Sequence, residues 1–404
     1  MMDMQNPWAA DSRTDGKRAH GSARSLLRGR LTRASLVATS VVVLGSVLLS
    51  SCASPVATQP TTTQSTVSPE LRQAKFLAGA FLNRYVASDG RVIRYDQGGD
   101  TVSEGQAYSL LLAVATGESA RFASVWTWEK DNLQEPNGLF AYHWSNGAVV
   151  GAGAATDADL DTAWALVLGA RAFHRPAYRK AGLAVASAIL ANETVVSDGR
   201  LELVAGPWAR IAPYTVDPSY FSPEAMAALA AASGDRRWRK LALNSQRLVA
   251  DLQGGGSTRS LPPDWALLST SGEISASSSP SSGGPPSYGL DAQRVPIWYA
   301  ADCSASGRAL SADNWPTISG LAGSGSYQAY SLTGAVQVQV FNNLGLIAAS
   351  ASADSAGQTV RGRSLLAQAQ SVLGQTYYGD AWVALGTVLL TTNLLSPCPP
   401  GGTS

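Results

Sequence analysis

Histidine and cysteine are nearly missing from this sequence, three of each in 404 residues. Beyond the N-terminal leader only His143 and His174 remain, too few for a histidine-based metal site and a poor basis for a Ser-His triad. His174, in AFHRPAY, follows an apolar periodic stretch and suits a helix-terminus partner; His143, in LFAYHW, sits among aromatics where a ligand contact is open to it. Charge is also scarce, at 15% of residues with a formal balance of +1, so there is no electrostatic case for a nucleic-acid partner. With 45% hydrophobic residues the chain can bury one large core or two smaller ones.

What charge there is lies unevenly. Residues 1–51 carry a basic segment ending at Arg33, the uncharged run ASLVATSVVVLGSVLLSS from Ala34, and then Cys52. This is an export pattern, and Leu49-Ser50-Ser51-Cys52 resembles a bacterial lipobox, which implies lipidation of Cys52 and a signal peptide over 1–51. The leader is long, which makes Met4 an alternative start, and the apolar run is just long enough to serve instead as an uncleaved signal anchor. Either way the rest of the protein is expected outside the cytoplasm. In that oxidising setting Cys303 and Cys398 suit a disulfide better than a catalytic thiol. Residues 52–68, rich in Thr, Ser and Pro, read as a flexible tether, 69–395 as the folded domain, and 396–404 as a flexible tail.

Within 69–395 apolar residues recur mostly at helical spacing, as in GQAYSLLLAVAT, LDTAWALVLGARAFH and SPEAMAALAAASG, with Gly- and Pro-bearing loops between them. The expectation is an all-α domain of about a dozen helices. The stretch 254–287 interrupts the pattern as a long loop, either functional or disordered.

Chemistry is left to carboxylates. ATDADLD, at 155–161, begins like a calcium loop, but such loops need Gly and Glu where Thr162 and Leu168 stand. As a helix start it gives Thr156 as N-cap and Asp159 as capping-box partner, with Asp161 tolerated near the positive end of the dipole. Asp157 is left unexplained. TVSEGQAYSLLLA repeats the design, with Ser103 capping, Gln106 as its partner, Glu104 in the first turn and open space beside it at Gly105. Asp291, in SYGLDAQRVPIW, opens a third apolar segment with Arg294 close behind, as an aid to Asp291 or as a structural ion pair. Three acids at helix entrances near aromatic residues suit a sugar cleft, because paired acids cleave glycosidic bonds.

These pieces, taken in order, resemble glycoside hydrolase family 8. SEGQAYSLLLA, VWTWEKDNL with LFAYHW, ATDADLDTAWALVLGARAF, DPSYFSPEAM, LPPDWA, YGLDAQRVPIWYA and YYGDAWVALG follow the family's sequence along nearly the whole domain. The resemblance implies an (α/α)6 barrel and an inverting endo-β-1,4-glucanase that needs no metal or cofactor. It implies Glu104 as general acid, Asp291 as general base and Asp157 as the group that holds the central sugar. Trp126, Trp128, Trp144, Trp164, Tyr214 and Tyr220 are candidate sugar platforms, Trp144 and Tyr220 first because they lie in loop-like stretches, with core packing the competing role for each. The family usually has an aliphatic residue at Thr162 and Ala at Gly169. The expected partner is a β-1,4-glucan, acted on by a monomer at the bacterial surface. Xylan, mixed-linkage glucan or chitosan as substrate, and a polysaccharide-binding lipoprotein without catalysis, are the alternatives.

Overall fold

A computed structural model describes residues 67–256, 259–322 and 326–398. The leader, Cys52 and nearly all of the tether lie outside the described residues, as do 399–404. The Ala- and Leu-rich segments become helices: α1 (Pro69–Tyr85), α2 (Ser103–Thr116), α3 (Ser119–Leu133), α4 (Thr156–Ala172), α5 (Pro176–Asn192), α6 (Pro223–Ser233), α7 (Arg236–Gln253), α8 (Val295–Ala300), α9 (Ala305–Ala312), α10 (Trp315–Leu321), α11 (Asn343–Ser355), α12 (Thr359–Ser371) and α13 (Tyr377–Thr391).

They sort into two layers. Helices α2, α4, α6, α8, α11 and α13 pack in a closed ring, each on the next and α13 back on α2. Outside it, α1 lies on α2 and α13, α3 on α2, α5 on α4, α7 on α6, α9 on α8 and α12 on α11. This is the (α/α)6 barrel. An inner helix is covered on every side, so its sequence is apolar all round instead of striped: α2 buries every residue from Ser103 to Ala113. Outer α7 is striped, with Trp238, Leu241, Leu248 and Val249 inward and its arginines mostly outward. Edge-on aromatic pairs fill the barrel, Tyr108 on Trp382, Trp382 on Trp298 and Trp298 on Trp164, one from each of four inner helices.

Two departures from the family pattern have structural partners. Gly169 lets the Phe122 ring of α3 lie on α4, since a Cβ there would stand 2.6 Å from it. Thr162 donates its hydroxyl to Glu129 at 2.8 Å. Glu129 is fully buried, and burial pushes its carboxyl up from 4.5 to about 8. A folded-state value raised in this way leaves stability intact below about pH 4.5 and erodes it as pH climbs to 8. Glu129→Gln keeps the acceptor for Thr162 and removes the titration. Its thermal midpoint should exceed the parent's by about 2 °C or more near pH 9 and by less near pH 5; an equal change at both would contradict this reading.

Both capping expectations need correction. Helix α4 is capped by the Ala155 backbone, while Thr156 donates to the Val204 carbonyl at 2.7 Å and Asp159 accepts the Phe140 N–H at 2.9 Å. At α2, Gln106 accepts the Val92 N–H and donates to the carbonyls of Gly90 and Val125. These helix starts are buried, so their polar side chains satisfy backbone groups of neighbouring segments that water cannot reach. The long-loop expectation for 254–287 also changes. Trp265–Leu268 and Ile274–Ser277 pair as a hairpin and join Tyr214–Val216 in a three-stranded antiparallel sheet. A second such sheet joins Thr101–Val102, Ala141–Ser145 and Ala148–Ala154, so LFAYHW does enter a hairpin. Cys303 and Cys398 are disulfide-bonded with Cα atoms 5.5 Å apart, fastening the last described residues to the turn after α8.

Candidate active site

The starts of α2, α4 and α8, with the turn before α6, converge on one guanidinium. Arg294 ends the 3-10 turn Ala292–Arg294 that leads into α8, and it is 1% exposed. Its Nη1 donates to Glu104 at 3.0 Å and to Asp157 at 2.8 Å; its Nη2 donates to Asp291 at 3.2 Å and to the Ser219 hydroxyl at 2.6 Å. The three acids singled out in the sequence are therefore brought together, 187 residues of chain separating the first from the last. Arg294 is the hub of the cluster and bonds all three, not Asp291 alone.

Three carboxyls around one buried cation cannot all ionise cheaply. Burial, reinforced by Asp157, holds the Glu104 carboxyl well above its usual range, against the opposing pull of Arg294 and of the Tyr108 hydroxyl that donates to it at 2.5 Å. Burial likewise pushes Asp291 up to about 7, with Arg294 opposing and with Asp264 and Asp157 adding. The site thus holds two carboxyls, Glu104 and Asp291, whose protons burial holds more tightly than water would.

Asp264 of LPPDWA braces the loop carrying Asp291. One of its oxygens accepts the N–H groups of Gly289 and Ala292 at 3.0 and 2.8 Å, and the other accepts the Ser287 hydroxyl at 2.8 Å. Gly289 is required here, because a Cβ would lie 2.2 Å from that carboxylate. Asn at 264 reproduces these bonds without the charge, its Nδ2 donating to the Ser287 oxygen. Asp264→Asn should therefore lower the acid-side pKa of the kcat/KM profile by half a pH step or more while keeping the plateau rate; an unmoved acid limb would show that Asp264 does not act on Asp291 through its charge. Asp217 is a further fully buried acid, accepting from the N–H and hydroxyl of Ser219 at 2.8 and 2.6 Å.

The aromatic expectations divide. Trp164 is fully buried against Trp298 and offers no face to a ligand. Truncating a Trp so placed costs about 3–5 kcal/mol, and its job is core. Tyr220 is 3% exposed with its ring facing Arg294 at 5.5 Å, so it backs the guanidinium. Trp128 is buried edge-on to Trp144, and Trp126 packs on Phe140. Trp144 is half-buried in the hairpin, with Arg91 over its ring at 4.9 Å. Tyr214 is half-buried beside the cluster of Trp208, Tyr220 and Trp265. His143 bonds Asp100 at 2.8 Å, and Asp100 also accepts from Arg94. His174, at φ 53, turns the chain between α4 and α5. Gly105 does not leave open space: the Tyr377 hydroxyl fills it, 2.2 Å from where a Cβ would stand.

The sequence pattern of glycosyl hydrolases family 8 matches residues 73–382, most of the chain. The chain belongs to glycosyl hydrolases family 8. This family 8 chain is 32% identical over 234 residues to a probable endoglucanase of Novacetimonas hansenii, a match covering 54% of this chain and 64% of that one. It thus spans less than two thirds of that relative's length. Among solved structures it is similar to an endo-β-1,4-glucanase of Acetobacter xylinum, with TM-score 0.67 and 26% identity over 79% of this chain and 98% of that one. It also shares the fold of a β-1,3-1,4-glucanase of Paenibacillus, with TM-score 0.71 and 22% identity over 79% and 90% of the two chains.

Proposed function

We propose that this family 8 chain is an inverting endo-β-1,4-glucanase, exported and held at the membrane through lipidated Cys52. The observation that carries the proposal is the gathering of Glu104, Asp157 and Asp291, from three separate helix starts, on one buried arginine. Pure binding needs no pair of carboxyls held by burial above the usual carboxylate range beside one arginine. The names of its relatives, endoglucanases acting on β-linked glucans, support the substrate class.

Glu104 protonates the glycosidic oxygen as the bond to the leaving sugar breaks. Tyr108 and Arg294 hold that carboxyl in one orientation, and burial keeps its proton in place until a better base, the departing oxygen, arrives. Asp291 takes a proton from a water that attacks the anomeric carbon from the opposite face, which inverts its configuration. Asp157, fixed by Arg294, hydrogen-bonds the hydroxyls of the sugar at the cleavage point and favours its distorted form. Activity should therefore rise as pH climbs through about 7, where Asp291 ionises, and fall where Glu104 loses its proton.

Reducing-sugar release from carboxymethyl cellulose, xylan, mixed-linkage glucan and chitosan tests the proposal. Release from the cellulose derivative, abolished by Glu104→Gln, is expected. Release confined to another polymer would move the substrate within the family, and glucan binding without release from any would favour a binding lipoprotein.

A further inference from the structure

The catalytic cluster fixes the direction of the barrel. The inner helices α2, α4 and α13 begin at the site, so their C-termini lie at the far end, after 14, 17 and 15 residues. At 1.5 Å per residue that end is roughly 20–25 Å from Arg294. It includes four inner-to-outer turns with their adjoining helical residues, 117–121, 171–180, 234–240 and 354–363. Those turns hold eleven Lys and Arg against three Asp and Glu, whereas the rest of 69–395 holds twelve against twenty-three. A domain close to neutral overall is thus basic at one end and acidic over the remainder.

The basic groups cluster further. Arg171, Arg175, Lys180, Arg236, Arg239 and Lys240 are all exposed. The turns that carry them meet where Arg179 donates to the Ala232 carbonyl, beside a cavity of about 370 Å³ with Arg171, His174 and Arg179 on its wall. At the same end but across the ring, on the turn from α11 to α12, Val360 is 85% exposed and followed by Arg361 and Arg363, the pairing of apolar tip and cation that suits a lipid headgroup layer.

The chain also enters the domain at this end. Tyr85, the last residue of α1, donates to Asp380 in the first turn of α13 at 2.7 Å, so α1 finishes at the cleft end. Pro69, at the other end of this 17-residue helix, is at the basic one. Residues 52–68 that precede it span at most about 60 Å.

We infer that the basic end docks on an anionic phospholipid surface and directs the cleft away from the membrane, towards polymer outside. The choice of a bilayer as partner rests on the lipidation of Cys52 proposed above; the charge and the direction of the barrel do not. Contact is electrostatic, so it strengthens with anionic lipid content and weakens with salt.

The test uses the full-length chain with Cys52→Ala, which removes lipid attachment, and vesicles of phosphatidylcholine with and without phosphatidylglycerol. Hydrogen–deuterium exchange should slow in 171–180 and 234–240 only with phosphatidylglycerol, and stay unchanged in the hairpin 141–154. Substituting Arg175→Glu, Lys180→Glu, Arg236→Glu and Arg239→Glu together should cut the phosphatidylglycerol-dependent bound fraction at least about fivefold, with glucan hydrolysis in solution retained. The leader contributes equally to parent and variant, so the difference reports the basic end. Unslowed turns, slowing of the hairpin instead, or a variant that binds like the parent would overturn the inference. Equal slowing of these turns by heparin would reassign the surface to a soluble polyanion. The mass of the membrane-extracted parent chain reports Cys52 lipidation separately, so a lipidated chain without protected turns would sink the docking alone.

Discussion

Glu104→Gln is expected to lower kcat on β-1,4-glucan by about 10²–10⁴-fold with KM little changed, the loss typical of removing a general acid. Glutamine fits the site. Its carbonyl oxygen accepts from Arg294 and Tyr108 as the Glu104 oxygen does at 3.0 and 2.5 Å, so the cluster survives without a transferable proton. A substrate carrying a good leaving group, such as a nitrophenyl glycoside, needs less protonation and should lose much less rate. Asp291→Asn makes the complementary case: its loss should persist with the activated substrate, because the attacking water still lacks a base. If Glu104→Gln slowed both substrates alike, the acid role would belong elsewhere.

The second large effect concerns Arg294, and Arg294→Met should combine a fall in activity of about a hundredfold or more with a fall in stability. Removing one partner from a buried ionic cluster costs about 3–5 kcal/mol, because the remaining charges are left unpaired. Arg294 is what lowers the Glu104 and Asp291 carboxyls against burial. Without it both climb, Asp291 holds its proton at neutral pH, and the acid limb of the rate profile moves to higher pH. Arg294→Lys separates charge from geometry. Glu104 and Asp157 are served by one terminal nitrogen, Asp291 and Ser219 by the other. A lysine ammonium presents its donors at a single point and cannot serve both sides. The lysine variant should recover part of the stability and little of the rate. A lysine variant with near-parental rate would show that the fork is dispensable, and an unshifted acid limb in the methionine variant would break the proposed link to Asp291.

What could be read in advance follows from how each residue is used. Glu104, Asp157 and Asp291 were legible because an acid at the start of an apolar segment is conspicuous, and at Asp157 capping left it without a task. Arg294 was legible as a neighbour of Asp291 but not as the hub, since its bonds to Glu104 and Asp157 cross 190 and 137 residues of chain. Tyr108 sits at i+4 from Glu104 and was within reach of a helical reading. Ser219, Asp217 and Asp264 lie in irregular segments that give no spacing to follow. Thr156, Asp159, Ser103 and Gln106 matched the capping pattern, yet those of them with observed bonds use them on distant backbone, because a helix start buried by its neighbours has more than its own N–H groups to satisfy. Trp164 failed as a platform for the reason that makes the barrel recognisable: an inner helix is covered all round, so spacing cannot tell a ligand-facing aromatic from a core one. The strands 214–216, 265–268 and 274–277 are three or four residues each, too short for alternation to declare itself.

The most direct test of the central claim, that Glu104 and Asp291 act from opposite sides of one bond, is the configuration of the first product. Proton NMR of a β-1,4-linked glucan oligosaccharide, followed from the moment the enzyme is added, should show the α anomer first and the β anomer only as mutarotation proceeds. A β anomer formed first would mean retention, a covalent glycosyl intermediate and a nucleophile where this account places a base, and would contradict it.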